Sequence, residues 1–307
     1  MMRLICAMGL SGALIVSACS SSSGNKADSG AGGSNAMDGG KDATDAASGV
    51  TVSGTAAPHP LTAALDTTAA TTMFNMIDVA VVDPSVVLAN PAAPPLKGGP
   101  LNTTGCPATG CTWSFDNVDI SHITLGLVGI LSDERTSNAV WVRTGTGAGA
   151  GPTIMMHAQS GAPITNVPLF AISVGTEAKL AMFAATVLSD ATIVAGSLTQ
   201  RGFMVGTVVS KLSQGAMAVP GATVVPADAT RVNVIYPNAD FTGVGTSTSA
   251  NGTVLVVPKA GGTNATPVVT SWSVTAPSGD TRVWPTLTAG STPGTAFVIL
   301  FAANETP

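Results

Sequence analysis

The chain has 307 residues, 45% of them hydrophobic but only 9% charged, with a net charge of −5 and a pI near 5.0. Soluble domains carry ~25% charged residues, so this surface must be covered by hydroxyls and small side chains, which suits β-structure outside the cytoplasm. The acidic balance leaves no basic patch for a phosphate backbone and argues against nucleic acid as a partner; the length allows about two domains at ~100–150 residues each.

At the N-terminus, Arg3 supplies a positive charge and residues 4–16 an apolar stretch. That stretch is shorter than the ~20 residues a spanning helix needs, and the small residues Ser17 and Ala18 precede Cys19. The run Val16-Ser17-Ala18-Cys19 resembles the lipobox of bacterial lipoproteins. The resemblance implies cleavage after Ala18, diacylglycerol on the Cys19 thiol and acylation of its new amino group. Two or more acyl chains anchor a protein stably without a spanning helix. Ser20, being other than Asp, implies the outer membrane by resemblance to enterobacterial lipoproteins. The alternative is an ordinary secretory signal followed by an incidental cysteine. Residues 1–18 are therefore expected to be the signal peptide.

Residues 19–49 read as a tether. They are rich in Ser, Gly, Ala, Asp and Asn, with Met37 the one sizeable apolar side chain after Cys19. Such a segment cannot bury enough surface to offset its ordering entropy and is expected to be disordered. About 30 flexible residues span roughly 30 Å, enough to hold a folded body just off a membrane.

Residues 50–150 read as a first β-sandwich-like domain. Strands are predicted at 50–55, at 74–82 with Ile77, Val79 and Val81 on one face, and at 112–118 with Trp113 and Phe115 on one face. The near-continuous apolar run 123–131 suits a strand buried on both faces, and 139–143 reads as a short strand. Prolines from Pro84 to Pro100 mark a surface excursion, and the Gly-rich run 144–151 reads as a linker or hairpin tip. Cys106 and Cys111, spaced Cys-Pro-Ala-Thr-Gly-Cys, are expected to form a disulfide in an oxidising compartment. The alternative, a metal or redox pair, has neither Cys-x-x-Cys spacing nor a second ligand pair.

Residues 151–200 read as a helix-containing connector. Leu180, Phe183, Ala184, Val187 and Leu188 form one apolar helical stripe, Thr176 can cap its start, and Glu177 suits the first turn. The helix should cover a sheet face or pack between domains.

Residues 201–307 read as a second sandwich. Strands are predicted at 203–209, 222–225, 231–236, 253–257, 268–275, 281–287 and 295–302. In order come Gly206-Thr207-Val208-Val209, Val219-Pro220-Gly221-Ala222-Thr223-Val224, Thr248-Ser249-Ala250-Asn251-Gly252-Thr253-Val254 and Trp272-Ser273-Val274-Thr275-Ala276-Pro277-Ser278-Gly279. These runs, over about 205–279, resemble a carboxypeptidase-regulatory-like (prealbumin-like) domain, a small seven-stranded sandwich common in bacterial surface proteins. The resemblance implies an accessory or binding module without catalytic residues. Two departures stand out: Asn251 replaces the more usual Asp, and the Gly-x-Tyr before the last strand is missing. Pro220-Gly221 and Asn251-Gly252 read as turns, the latter with positive φ. A faint Val-x-Gly-Thr echo at 52–55 makes the first domain a diverged relative at most.

Little in the sequence marks chemistry. His59, His122 and His157 lack a second ligand at helical or hairpin spacing, and no Gly-x-Ser-x-Gly elbow is present. Asp116, Asn117, Asp119, Asp133 and Glu134 offer oxygens that calcium takes, but read equally as turn and cap residues. Trp113, Trp141, Trp272 and Trp284 are either core or a sugar-stacking platform; Trp141 and Trp284, each two residues from an arginine, suit an exposed ligand contact best. The expected protein is mainly β: two Ig-like or prealbumin-like sandwiches with one linking helix behind a disordered tether. It is expected to be a lipid-anchored cell-envelope protein, without cofactor or catalysis, that binds an envelope glycan or surface protein, serves adhesion or acts as a scaffold. Exposed strand edges offer pairing to a partner strand. The rival expectation is a hydrolase of envelope polymers.

Overall fold

The structure is a computed structural model that describes residues 49–71, 74, 76–90, 92–101, 110–135, 137–210, 217–259 and 267–304. Its first half contains β1 (Val50–Pro58), α1 (Pro60–Leu65), α2 (Thr67–Thr71), β2 (Ile77–Val82), α3 (Pro84–Ala89), β3 (Lys97–Pro100), β4 (Cys111–Val118), β5 (Gly126–Asp133), β6 (Thr144–Ala150), α4 (Gly151–Ser160) and β7 (Ile164–Ala171). The second half contains α5 (Val174–Leu188), α6 (Ser197–Arg201), β8 (Phe203–Val209), β9 (Thr223–Pro226), β10 (Val232–Pro237), β11 (Val244–Gly245), β12 (Thr253–Pro258), β13 (Val268–Thr275), β14 (Leu287–Ser291) and β15 (Ala296–Ala302). The fold is mainly β, as expected.

One nine-stranded sheet, ordered β11-β10-β12-β8-β15-β6-β5-β2-β3, runs through both halves. Two three-stranded sheets, β4-β1-β7 and β14-β13-β9, pack against it. Period-two alternation decides what each face meets. Phe203, Val205, Leu255, Val257 and Val298 cluster with Leu180, Ala184 and Leu198 of the helices. The intervening Met204, Val208, Val254, Val256 and Phe301 cluster with Val224 and Trp272 of the small sheet. In the first half, Ile77, Val79, Val81, Leu127 and Leu131 face Val52, Trp113 and Leu169 of the β4-β1-β7 sheet. The opposite face there carries Val82, Val128 and Ile130 against Val87 of α3. Two sandwich-like lobes therefore share a sheet.

The expected strand faces hold: Ile77, Val79 and Val81 are buried together, the Trp113 and Phe115 rings lie 5.8 Å apart, and β5 is buried on both faces through Gly126–Leu131. The expected helix is α5, and it covers a sheet face. Its cap differs from the expectation. Ser173 is the N-cap, accepting from the Thr176 backbone N–H at 3.0 Å, and Thr176 lies inside the first turn.

Other elements depart further. The glycine-rich run at 144–151 is the strand β6, inside the large sheet, because its glycines make room for neighbours. A Cβ at Gly145 would lie 3.0 Å from the Phe297 ring, and one at Gly149 would lie 2.8 Å from Ile154. Residues 139–143 form only an isolated bridge between Trp141 and Ser173, and the strand expected at 281–287 lies instead at Leu287–Ser291. The proline-rich excursion holds α3, started by Pro84 with Asp83 accepting from the Ser85 N–H at 2.8 Å. Of the Asn251-Gly252 turn, Gly252 alone takes positive φ (65°), while Asn251 Oδ1 accepts from the Thr253 N–H. The middle segment gives β7 to the first lobe and α5 and α6 to the second.

Glu177 ties the helical layer together. It is 1% exposed, and its carboxylate accepts backbone N–H groups from Gly196 at 2.6 Å, Leu198 at 3.0 Å and Thr199 at 3.3 Å. A helix start leaves N–H groups without intrahelical partners, and here a buried carboxylate from a neighbouring helix satisfies those of α6. Glu177→Ala should lower unfolding stability by about 3 kcal/mol, because buried donors left unpaired cost ~1–3 kcal/mol each. The exposed Glu134→Ala should stay within ~0.5 kcal/mol. Urea midpoints at unchanged slope check both.

Candidate functional site

A backbone edge and a groove lie at the outer side of β10. β12 pairs with β10 along Val232–Ile235, whereas β11 covers only Tyr236 and Pro237. Lys259 N–H donates to Arg231 O at 2.9 Å, which fixes the alternation: Arg231, Asn233 and Ile235 turn their backbone groups to β12. The N–H and C=O of Val232 and Val234 therefore face outward. A cavity of about 440 Å³ opens along this edge. Val187 and Leu188 at the end of α5 wall one side, and Val225 and Pro226 of β9 wall the other.

Tyr236 closes the neighbouring edge. Its hydroxyl accepts from Val224 N–H at 2.8 Å and donates to Val224 O at 2.9 Å, so the outward groups of β9 at that residue are occupied from across the sandwich. Burial pushes the Tyr236 phenol above its ordinary pKa. At the N-terminal end of β10, Lys259 lines the cavity and donates through Nζ to Ala229 O at 2.9 Å. Arg231 lies beside it and donates to Pro267 O. Asp228 is nearby, but its carboxylate is folded into its own turn, accepting Thr230 N–H at 3.0 Å and hydroxyl at 2.5 Å. Those bonds, chiefly the Thr230 hydroxyl, hold its pKa below the usual carboxylate range. The edge was not legible as a site, since its signal is the two-residue length of β11.

The residues singled out from sequence take structural places. Trp141 is 3% exposed and meets Phe74 edge-on at 5.2 Å, and Trp284 is 7% exposed with its indole N–H donating to Val209 O and Phe301 O. Neither is an exposed stacking platform; each fills a core, and Arg282, paired with Asp280, lies over Trp284 at 5.5 Å. Asp133 cannot serve calcium in this arrangement. Its oxygens accept from Arg135 and from the Val140 and Trp141 N–H groups. Asp116 accepts from Thr51, and Asp119 from Ser121. Glu134 is exposed, its pKa raised by a hydrogen bond with Asp78 and by that residue's charge. Among the described residues no group of three or more His, Cys, Asp or Glu is placed to hold a metal, and no helix is long and apolar enough to cross a membrane. Cys111 is disulfide-bonded. Ala18, Cys19, the tether to residue 48 and Cys106 lie outside the described residues.

The histidines are satisfied locally. His157 Nδ1 lies 3.0 Å from Ala162 O, and His122 sits at the surface 4.0 Å from Asp119. His59 is buried and caps α1, its Nδ1 accepting from the Leu61 N–H at 3.2 Å. Burial lowers its pKa to about 4.

No family model matches the chain, and no curated protein matches it. Among solved structures it is similar to the shaft pilin SpaA from Lactobacillus rhamnosus GG at 11% identity, covering 84% of this chain and 99% of that one, with a TM-score of 0.22. A streptococcal ancillary pilin gives 9% identity over 84% of this chain and 70% of that one, with a TM-score of 0.23. The Bacillus anthracis TIE protein gives 8% identity over 83% of this chain and 34% of that one, with a TM-score of 0.19. Likenesses at these TM-scores assign neither a fold family nor a role.

Two outcomes follow from this geometry. Tyr236→Phe removes the partner of Val224 N–H and C=O and should lower stability by about 2 kcal/mol in urea unfolding. His59 has a folded pKa below its ordinary 6.5, so the unfolded chain takes up a proton first as pH falls. The stability it contributes is whole above pH ~6.5 and lost down to pH ~4. Wild type should lose ~2 kcal/mol more between pH 7 and pH 5 than His59→Asn, which keeps a capping oxygen but does not titrate.

Proposed function

We propose that this protein is a lipid-anchored cell-envelope protein that presents a β-rich body for binding and performs no catalysis. The observation that carries the reading is the order of residues at its start: Arg3, the apolar stretch 4–16, Ser17-Ala18-Cys19, then the Ser/Gly/Asp tether to residue 49. Cleavage after Ala18 leaves Cys19 as the acylated terminus, and Ser20 directs it to the outer membrane. The Cys106–Cys111 bond staples the loop ahead of β4. The carboxypeptidase-regulatory-like resemblance over 205–279 supports an accessory, non-enzymatic role.

The body suits display. Val50 begins β1, which is paired on one side with β4 and on the other with β7, so a tether ending at residue 49 pulls on a strand held along both edges. The binding face is the β10 edge, whose described lining residues are apolar apart from Asn233, Tyr236 and Lys259. Intact mass and detergent-phase partitioning of the native protein beside Cys19→Ala test the anchor. The native protein should carry a mass increment matching acyl chains and partition with membranes, while the variant should stay unprocessed or be released. A native protein that is soluble and unmodified contradicts the reading.

A further inference from the structure

Resting on that reading, we propose that the outer edge of β10 accepts an added β-strand. The strand is an extended apolar peptide segment of a partner protein, lying antiparallel to Val232–Ile235, with an acidic residue at its C-terminal end beside Lys259.

The backbone supplies the first part. Val232 and Val234 direct two N–H and two C=O groups outward, and β11 stops short of both. An edge with unpaired groups is a template for another strand. The alternative edge across the groove is closed at Val224 by the Tyr236 hydroxyl, so β10 is the strand that accepts. The cavity of about 440 Å³ falls within the ~300–1,000 Å³ of ligand sites.

The walls define the ligand's side chains. Residues opposite one another in an antiparallel pair project to the same face. Ligand residues opposite Val232 and Val234 therefore project towards the side of β9 that carries Val224. Those opposite Asn233 and Ile235 project towards Val187 and Leu188. Both faces being apolar, the ligand needs a continuous apolar run; an alternating apolar and polar strand would leave polar groups against one wall.

Charge sets the direction. Among the described residues Lys259 is the only charged one lining the cavity, and it sits at the N-terminal end of β10 with Arg231 beside it. Asp228, the nearby carboxylate, is hydrogen-bonded by Thr230 and its charge reaches both Arg231 and Lys259, so two cations face one anion here. For a ligand whose acidic residue lies at its C-terminal end, the antiparallel direction brings that carboxylate to Lys259, whereas the parallel direction carries it to the far end of β10.

The test uses a fluorescein-labelled, acetylated peptide Thr-Val-Ile-Val-Val-Glu and the purified full chain, read by fluorescence anisotropy. Wild type should bind saturably. Val234→Pro removes an outward N–H without touching the β12 ladder and should weaken binding at least about tenfold. Lys259→Glu should weaken it about tenfold, and exchanging the peptide's Glu for Lys should restore binding to that variant. Should Val234→Pro fail to fold, the charge exchange at the exposed Lys259 decides alone. No saturable binding to wild type at millimolar peptide overturns the proposal. So does binding that neither substitution alters. Self-association of wild type that Val234→Pro abolishes and peptide does not compete would assign the edge to a second copy, and also overturns it. Binding by the purified chain but not by intact cells overturns surface display while leaving the strand site standing.

Discussion

The structure depends on the pairing of β15. This strand, close to the end of the chain, lies in the middle of the nine-stranded sheet and runs parallel to both neighbours: β6 from the first half along Ala296–Val298, and β8 from the second along Ala296–Ala302. Two parallel partners require two crossovers, and the chain makes them with the helices and small sheets that then cover the faces. Ala296 and Val298 are buried under the helical layer, while Phe301 packs on Trp272 of the small sheet. Phe297 reaches both lobes, packing with the second core and with Val128 and Ile130 of the first. It lies over Gly145, where an added Cβ would meet the ring at 3.0 Å and force it to shift.

Scarcity of charge shapes the polar parts. With few ion pairs available, turns are fixed by aspartates that accept from a hydroxyl and an N–H two residues on: Asp119 with Ser121, Asp190 with Thr192, Asp240 with Thr242. The hydroxyl bond is the first cause holding each of these carboxyls below its ordinary pKa. Inside, the Glu177 carboxylate accepts backbone N–H groups at a helix start, and Ser173, Thr176, Thr62 and Asp66 link α1 to the start of α5 by hydroxyl bonds. Gly175 has no side chain because Asp66 occupies that space, 2.2 Å from where a Cβ would lie.

Short apolar strands bounded by turn residues were legible in the sequence. β8 and β12, buried on both faces, and β13 and β15 fall where apolar runs and turn residues put them. β6 was not legible: its glycines carry no hydrophobic signal, and their reason lies in Phe297 and Ile154, distant in sequence or on the following helix. α3 was hidden among prolines that read as breakers, although Pro84 at a helix start is a favourable use of the residue. Trp141 and Trp284 sit near arginines in sequence, but which side of a strand meets solvent depends on which sheet covers it. The groove at β10 depends on where a neighbour stops, a property that no single segment encodes.

A shared sheet also places the proposed functions. From β5, under the lobe that receives the tether, to β10 is five strand spacings, roughly 24 Å at ~4.8 Å each. The two lie on one hydrogen-bonded body if β15 joins the halves as described. Scanning calorimetry of the whole chain tests this most directly. A sheet that is continuous through β15 predicts one transition, with the van't Hoff and calorimetric enthalpies equal. Two resolved transitions, each with its own enthalpy, would contradict it and make the halves independent domains.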